Sequence, residues 1–261
     1  MTNFSGEVII ETSRKPGFNP CSFEKINRPV NIPRFVAGTD DYGRPLTLHG
    51  GTAINPTIFP LSRLSSDMDF AFAENLSTDE TVEWREKIHK FPREHATDEG
   101  YTTNKKSIRS RVMDKLACSL VRFNDRADSL KIEVSRIVRN RALPPTETAT
   151  RTEGVNPDLN IRARAPIDMF AGEIVALTNR GAPRDPYDAN DMLDFNLFGE
   201  QDPNPPRKRA VLCLAITGAR RRADSTWKKI DDITEIHVKK DLENRTSKLN
   251  NYDLAAVKTR V

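Results

Sequence analysis

The spacing of hydrophobic residues changes along the chain. Ser66–Ala73 alternates strictly, with Met68, Phe70 and Phe72 on one face and Asp67, Asp69 and Ala71 on the other, the two-residue period of a half-buried strand. Leu130–Val138 alternates in the same way, setting Leu130, Ile132 and Val134 against Lys131, Glu133 and Ser135. Leu46–His49, running into Gly50-Gly51-Thr52, reads as another strand, and Asp79–Gly100 between these strands reads as a helix. In the second half the period lengthens. Ile167, Phe170, Ile174 and Leu177 recur at three and four residues, which predicts a helix over Asp168–Arg180. Met192 and Phe195 mark a further helix, and Ala210–Ile216 the centre of another.

Breakers frame these segments. Lys15-Pro16-Gly17, Asn19-Pro20 and Asn31-Ile32-Pro33 make residues 1–45 an irregular arm with one short strand at Val8–Glu11, closed by a turn at Asp40–Pro45. Leu143-Pro144-Pro145 followed by Thr146–Gly154 reads as a linker. It divides an amino-terminal core, residues 1–145, from a helical carboxy-terminal domain, residues 146–261. At 261 residues the length suits two lobes or one large domain. No internal repeat is visible.

Composition narrows the class. Hydrophobic residues are 37% and charged residues 30%, of mixed sign, which fits a folded core rather than a disordered chain. The longest apolar run, Ala210–Ile216, is far below the ~20 residues that cross a bilayer, so no membrane association is expected. Three scattered cysteines and no apolar leader at the amino terminus are expected of a cytoplasmic protein. The net charge of +4 is uneven: from Pro205 onward there are 14 Lys/Arg against 7 Asp/Glu, leaving 27 against 30 in the rest. The clusters Arg207-Lys208-Arg209, Arg220-Arg221-Arg222, Lys228-Lys229 and Lys239-Lys240 would suit a polynucleotide backbone, an acidic partner protein, or plain solvated helix faces.

The strongest chemical signal is Asp67-Met68-Asp69. Two carboxylates at i and i+2 on a strand share a face, and like charges that close resist joint ionisation unless a cation neutralises them. A hard divalent ion such as Mg²⁺ does so with oxygen ligands; a solvated acidic strand edge is the alternative. Fifteen residues earlier, Gly50-Gly51-Thr52 offers close backbone approach and an N–H at a helix start, features that receive a phosphate, or else a simple tight turn. Glu133 would complete a three-acid cluster if its strand neighbours that of Asp67, or would pair with Lys131 or Arg136 on a sheet surface. Gly38 and Gly43 have the spacing of a phosphate loop, but Arg44-Pro45 stands where such a loop needs Lys-Ser/Thr. The histidines at 49, 89, 95 and 237 lack ligand spacing, and Trp84, Phe91 and Trp227 are expected to pack.

His49-Gly50-Gly51-Thr52-Ala53-Ile54-Asn55 and Arg63-Leu64-Ser65-Ser66-Asp67-Met68-Asp69-Phe70 resemble the signature of the AbiEii/AbiGii-type nucleotidyltransferase toxins. Lys131-Ile132-Glu133-Val134 resembles that family's third-carboxylate strand. Ala171–Leu177, with Arg180 and Pro183-Arg184-Asp185-Pro186-Tyr187-Asp188, resembles its helical motif. The resemblance implies an α+β fold: a polymerase β-like nucleotidyltransferase lobe with a mixed sheet, followed by a mainly helical lobe. It implies a toxin of a toxin–antitoxin or phage-defence pair that moves nucleotides from an NTP to an RNA, the 3′ end of a tRNA in some relatives. Carried over by position, Asp67, Asp69 and Glu133 would hold two Mg²⁺ ions. Gly51 and Thr52 would cradle the triphosphate, Arg63 and Lys131 would meet phosphates or form local ion pairs, and Arg184, Asp185 and Asp188 would shape the helical wall.

Two positions depart from the pattern, the smaller being Pro186, where the family prefers a bulky aliphatic residue and a proline is tolerable near a helix start. Where the family carries a lysine facing the triphosphate, this chain has Glu173, a change of two charge units, for which Asn179, Arg180 or Arg184 would partly substitute. Two further readings therefore stand beside the transferase: a weakly active or inactive binding protein on the same fold, and a protein nucleotidylyltransferase.

Overall fold

The computed structural model describes residues 5–261 apart from 15–16, 29–31, 34–35, 37–44, 60–62, 66, 73–76, 99, 105–106, 111, 137–140, 151–159, 196–203, 217–222 and 247–251. The alternating segments form the expected strands: β1 (Leu46–His49), β2 (Asp67–Phe72) and β6 (Ala127–Ser135). They lie in one mixed eight-stranded sheet with β3 (Thr102–Thr103), β4 (Ile108–Arg109), β5 (Met113–Val121), β7 (Thr146–Ala149) and β8 (Asn160–Ala163). The order is β3-β5-β6-β2-β1-β8-β7, with β4 beside β5. β2 runs parallel to β6 and antiparallel to β1, while β1 runs parallel to β8.

Ten helices accompany the sheet among the described residues. The short α3 (Gly51–Thr57) follows β1, and α4 (Thr78–Asp98) matches the helix expected over 79–100. α5 (Pro166–Asn179) and α6 (Arg184–Phe195) match the two helices read from the longer period. α7 (Asn204–Ile216) holds Ala210–Ile216 as its second half, not its centre. α8 (Ala223–Asp231), α9 (Glu235–Leu242) and α10 (Leu254–Arg260) complete the helical part. No described helix is long and apolar enough to cross a membrane.

The main core is the face opposite the acids. Leu48, Met68, Phe70, Leu116, Ile132 and Val134 point to it and are covered by Ala53 and Ile54 of α3, Ile88 of α4 and Phe170 of α5. The alternation in β2 and β6 therefore divides each strand between an apolar core and a polar cavity, which commits the register: a one-residue slip would exchange the two faces.

Three expectations need correction. The described part of the amino-terminal arm is largely helical, and Val8–Glu11 is not a strand. Those residues lie inside α1 (Gly6–Arg14), where Ile9 and Ser13, four residues apart, are buried together. The β-branched Val8-Ile9-Ile10 suggests a strand, but one-sided helical burial overrides that propensity. Asn19 then caps α2 (Pro20–Asn27), its side chain accepting from the N–H groups of Cys21 and Ser22. Buried Glu24 of α2 accepts from the Phe123 N–H at 2.9 Å, fixing the arm to the β5–β6 turn. Second, the linker read over Thr146–Gly154 contains β7, whose ladder with β8 absorbs its backbone groups. A boundary at 145 consequently falls between strands of one sheet. Third, Trp227 is half-exposed on α8 rather than packed. The turn at Asp40–Pro45 and the side chain of Phe91 lie outside the described residues.

Candidate active site

The parallel register of β2 against β6 sets Asp67 beside Lys131 and Asp69 beside Glu133. All four side chains rise from the polar face into a cavity of about 350 Å³, within the range of ligand sites. Lys131 Nζ stands 2.9 Å from Asp67 and 3.5 Å from Glu133, and Lys115 of β5 adds a contact of 2.7 Å to Glu133. Among the described residues no ion pair holds Asp69, and Lys131 and Arg180 act on it only at longer range. Burial, then the neighbouring charges of Glu133 and Asp67, push its carboxyl up to about 6. Burial opposes the charge on Lys131, but Asp67, Glu133 and Asp69 hold its ammonium above the ordinary value.

Among the described residues no three metal-ligating side chains converge closely enough to hold an ion in this arrangement. The donor set nevertheless suits a hard divalent cation. It consists of three carboxylates on one face of the sheet, with an ammonium wedged between two of them and a third, Asp69, that only more distant cations oppose.

Gly50 and Gly51 make the turn beside this floor. Gly50 has φ 66°, which favours glycine, and a Cβ there would approach the Asp69 carboxylate to 3.1 Å. At Gly51 a Cβ would meet Arg63 Nη2 at 2.8 Å, so this glycine makes room for a guanidinium. Thr52 turns its hydroxyl away from the cavity, to the Asp67 carbonyl and to Ser65 Oγ at 3.1 Å, leaving its backbone N–H as the group it can offer.

The opposite wall comes from α5 and α6, and its arginines are matched to acids. Arg63 Nε and Nη2 donate to both oxygens of Asp188 at 2.8 and 2.6 Å, with both residues buried. Arg180 forks onto Asp185, which lies behind the wall and does not line the cavity. Arg184 lies 3.4 Å from Asp241 of α9. Glu173 projects among these pairs. Burial, then the charge of Asp188, raise its carboxyl well above the carboxylate range to about 8, with Arg63 opposing. A carboxyl whose folded pKa exceeds its free value of 4.5 keeps a proton that the unfolded chain has released, so stability falls as pH rises from about 4.5 toward 8. Glu173→Gln is expected to raise the melting temperature at pH 8 by several degrees, and the gain should vanish near pH 4.5. Equal melting temperatures at both pH values would contradict this.

The remaining wall was missed by the sequence reading. His49, Ser65, Arg164, Asp168 and Arg245 line the cavity. Two sequence cues existed: Arg164 stands immediately before an Ala-Pro helix start, and His49 precedes the paired glycines. Lys115 was missed because β5 was, although Leu116, Cys118 and Leu120 alternate there. His237 serves structure, its ring and backbone forming a reciprocal cap with Thr234. The basic tail also divides. Arg209 is buried on Asp168 and is unavailable to a polynucleotide, Lys229 donates to the Asn179 carbonyl at 3.0 Å, and Arg207, Lys208, Lys239 and Lys240 are exposed. Arg220–Arg222 lie outside the described residues.

Residues 34–253 match the family described as nucleotidyl transferase AbiEii toxin, type IV TA system. Among solved structures, the chain is similar to MenT4, a nucleotidyltransferase toxin from Mycobacterium tuberculosis H37Rv. The TM-score is 0.65 and the identity 15%, over 99% of this chain and 87% of that one. An antigenic nucleotidyltransferase-like protein from Paracoccidioides brasiliensis superposes with TM-score 0.43 and 10% identity, over 72% of this chain and 88% of that one. No curated protein matches by sequence.

Proposed function

The chain belongs to the AbiEii family of nucleotidyltransferase toxins, and from that premise we propose that it moves nucleotides from an NTP to an RNA acceptor, the 3′ end of a tRNA, in a magnesium-dependent reaction that a cognate antitoxin restrains. The observation carrying this reading is the β2–β6 register, which sets Glu133 beside Asp69, with Asp67 on the same face. Asp67, Asp69 and Glu133 would hold two Mg²⁺ ions, which when bound neutralise the leaving pyrophosphate and lower the pKa of the attacking hydroxyl. Lys131, whose ammonium stands between Asp67 and Glu133, would become available to a phosphate were a cation to take that place. Glu133 assists the incoming hydroxyl. The backbone of Gly51 and Thr52 meets the triphosphate, while Arg63, Arg180 and Arg184, held by Asp188, Asp185 and Asp241, keep the far wall rigid.

The test is to incubate the protein with each labelled NTP, total RNA and Mg²⁺. Labelled tRNA is expected, and a chelator should abolish it. No labelled product with any of the four NTPs across varied RNAs would defeat the reading, and label on polypeptide would mark a protein nucleotidylyltransferase. Glu173 favours one other reading, a binding protein with the transferase fold, because position 173 offers the triphosphate no cation and would repel it once the carboxyl ionises. Glu173→Lys separates the two. A gain in transfer supports the enzyme, whereas no transfer by either protein, with no metal binding by calorimetry, supports the binding protein.

A further inference from the structure

Leu48 points into the core, so alternation along β1 turns its neighbour His49 to the polar face of the sheet. The antiparallel register pairs His49 with Asp69 of β2, and residues paired across two strands stand side by side on one face. His49 therefore sits at the edge of the acidic floor and lines the cavity, just before the Gly50-Gly51 turn. No step of the transfer uses it.

The ring is held in place and neutral. One of its nitrogens bonds to the Phe70 backbone, and the other, Nε2, is buried without a hydrogen-bond partner, so the bonded nitrogen is Nδ1. A ring nitrogen that donates to a carbonyl carries the proton, which leaves the lone pair of the neutral imidazole on Nε2. Burial, then the charge of Arg164, pull the imidazole down to about 3, so it accepts hydrogen bonds at neutral pH without taking up a proton. A buried acceptor with nothing to accept is costly, and a donor carried in by a ligand removes that cost.

The chemistry of the cavity narrows the donor. A hard cation such as Mg²⁺ takes oxygen ligands and leaves this nitrogen alone. Ionised phosphate oxygens only accept. The nucleoside portion remains, and its sugar hydroxyls stand nearer to the phosphates than its base N–H groups do. A donor beside Asp69 is therefore a hydroxyl. There is room for the sugar: α5 lines the same cavity with Met169, Gly172 and Ala176, spaced along one side of the helix, and a Cβ at Gly172 would meet nothing within 4 Å.

We propose that His49 Nε2 accepts a hydrogen bond from a ribose hydroxyl beside Asp69, that of the incoming nucleotide or of the acceptor's terminal sugar, and so makes the cavity select ribose over deoxyribose. His49 positions the hydroxyl and takes no proton from it. The role rests on the transferase reading of the same cavity.

Calorimetry tests it in two arms, each lacking the other substrate so that no chemistry occurs. One arm compares an NTP with its 2′-deoxy and 3′-deoxy counterparts, the other a tRNA ending in ribose with tRNAs whose last sugar is 2′-deoxy or 3′-deoxy. Loss of the contacted hydroxyl is expected to weaken wild-type binding by about 3–10-fold. His49→Phe keeps the bulk and removes the acceptor, and should erase that preference; His49→Gln returns an acceptor and should restore more than half of it. A preference erased in the NTP arm assigns the hydroxyl to the nucleotide, and one erased in the tRNA arm assigns it to the acceptor. Should His49→Phe fail to fold, ¹⁵N spectra of the wild type, which has four histidines, serve instead. The His49 Nε2 signal is expected to move with the hydroxylated ligand and not with its deoxy form, and equal signals in both complexes overturn the role. So does a wild type that prefers the hydroxyl in neither arm. A preference that survives in folded His49→Phe, alongside labelled RNA, sinks the role of His49 alone. A preference that depends on His49, with no labelled RNA, sinks the transfer reading alone.

Discussion

Asp69→Asn is expected to lower nucleotide transfer by at least about 10²–10³-fold while leaving the metal-free protein as stable as the wild type or more so. The two effects have one cause. Burial and the charges of Glu133 and Asp67 push the Asp69 carboxyl up to about 6, so the folded protein pays for an ionised Asp69 at neutral pH. The free value is 3.8; the folded state therefore retains a proton that the unfolded chain has lost between about pH 4 and 6, and wild-type stability declines as pH rises through that window. Asparagine keeps the shape and removes the charge. The variant should melt higher than the wild type above pH 6, and the difference should close near pH 4. Mg²⁺ should reverse the order: a ligand that binds only the folded wild type raises its melting temperature, and the variant should show little of that rise. Initial rates with labelled NTP and melting curves with and without Mg²⁺ check both halves. Activity within about tenfold of the wild type would remove Asp69 from the chemistry.

The acids were legible because two constraints act on the same residues. In β2 and β6 alternation had to satisfy an apolar core below and a polar cavity above, so Met68 and Ile132 locate their faces as surely as Asp69 and Glu133 do. The helices α5 and α6 were legible for a related reason, each having one apolar stripe. What escaped was whatever depended on partners distant in sequence. α1 carries a β-branched run and becomes helical by packing on α2, while α2 is secured by Glu24 reaching Phe123. β7 is short and polar, and its status as a strand exists only in its ladder with β8. Arg209 looks like one member of a basic tail cluster until the fold buries it on Asp168. Glu173 was visible as an unusual residue, but its depth among Asp188, Arg63, Asp185 and Arg180 was not.

Arg63→Ala is expected to cost about 3–5 kcal/mol of stability, the largest loss from a single cavity side chain, and to lower the melting temperature by roughly 6–20 °C. Arg63 joins the segment before β2 to the helical part twice, through its side chain and its backbone, and adds one local bond. Its guanidinium forks onto Asp188 of α6, its Nη1 donates to the Leu64 carbonyl at 3.2 Å, and its backbone bridges Thr246. Thr246 in turn meets the hydroxyl of Tyr187 at 2.9 Å, beside the tyrosine pair Tyr187–Tyr252. Truncation leaves the Asp188 carboxylate buried, with Glu173 close by and its opposing cation gone. That penalty concerns an orphaned charge rather than lost attraction, which a double variant can show. Arg63→Met combined with Asp188→Leu should recover more than half of the loss, since a buried ion pair replaced by apolar groups of similar volume is often near neutral. The cost of Arg63→Ala should also shrink at acidic pH. Arg63 opposes the upward push on Glu173, so its removal raises that carboxyl further. The folded variant then keeps a Glu173 proton near pH 8 that the wild type partly releases, and its stability falls further there than at pH 5. Urea unfolding at pH 5 and pH 8 measures the difference. A loss under 1 kcal/mol at pH 8, or one equal at both pH values, would mean that the Arg63–Asp188 pair does not hold the two sides of the cavity together.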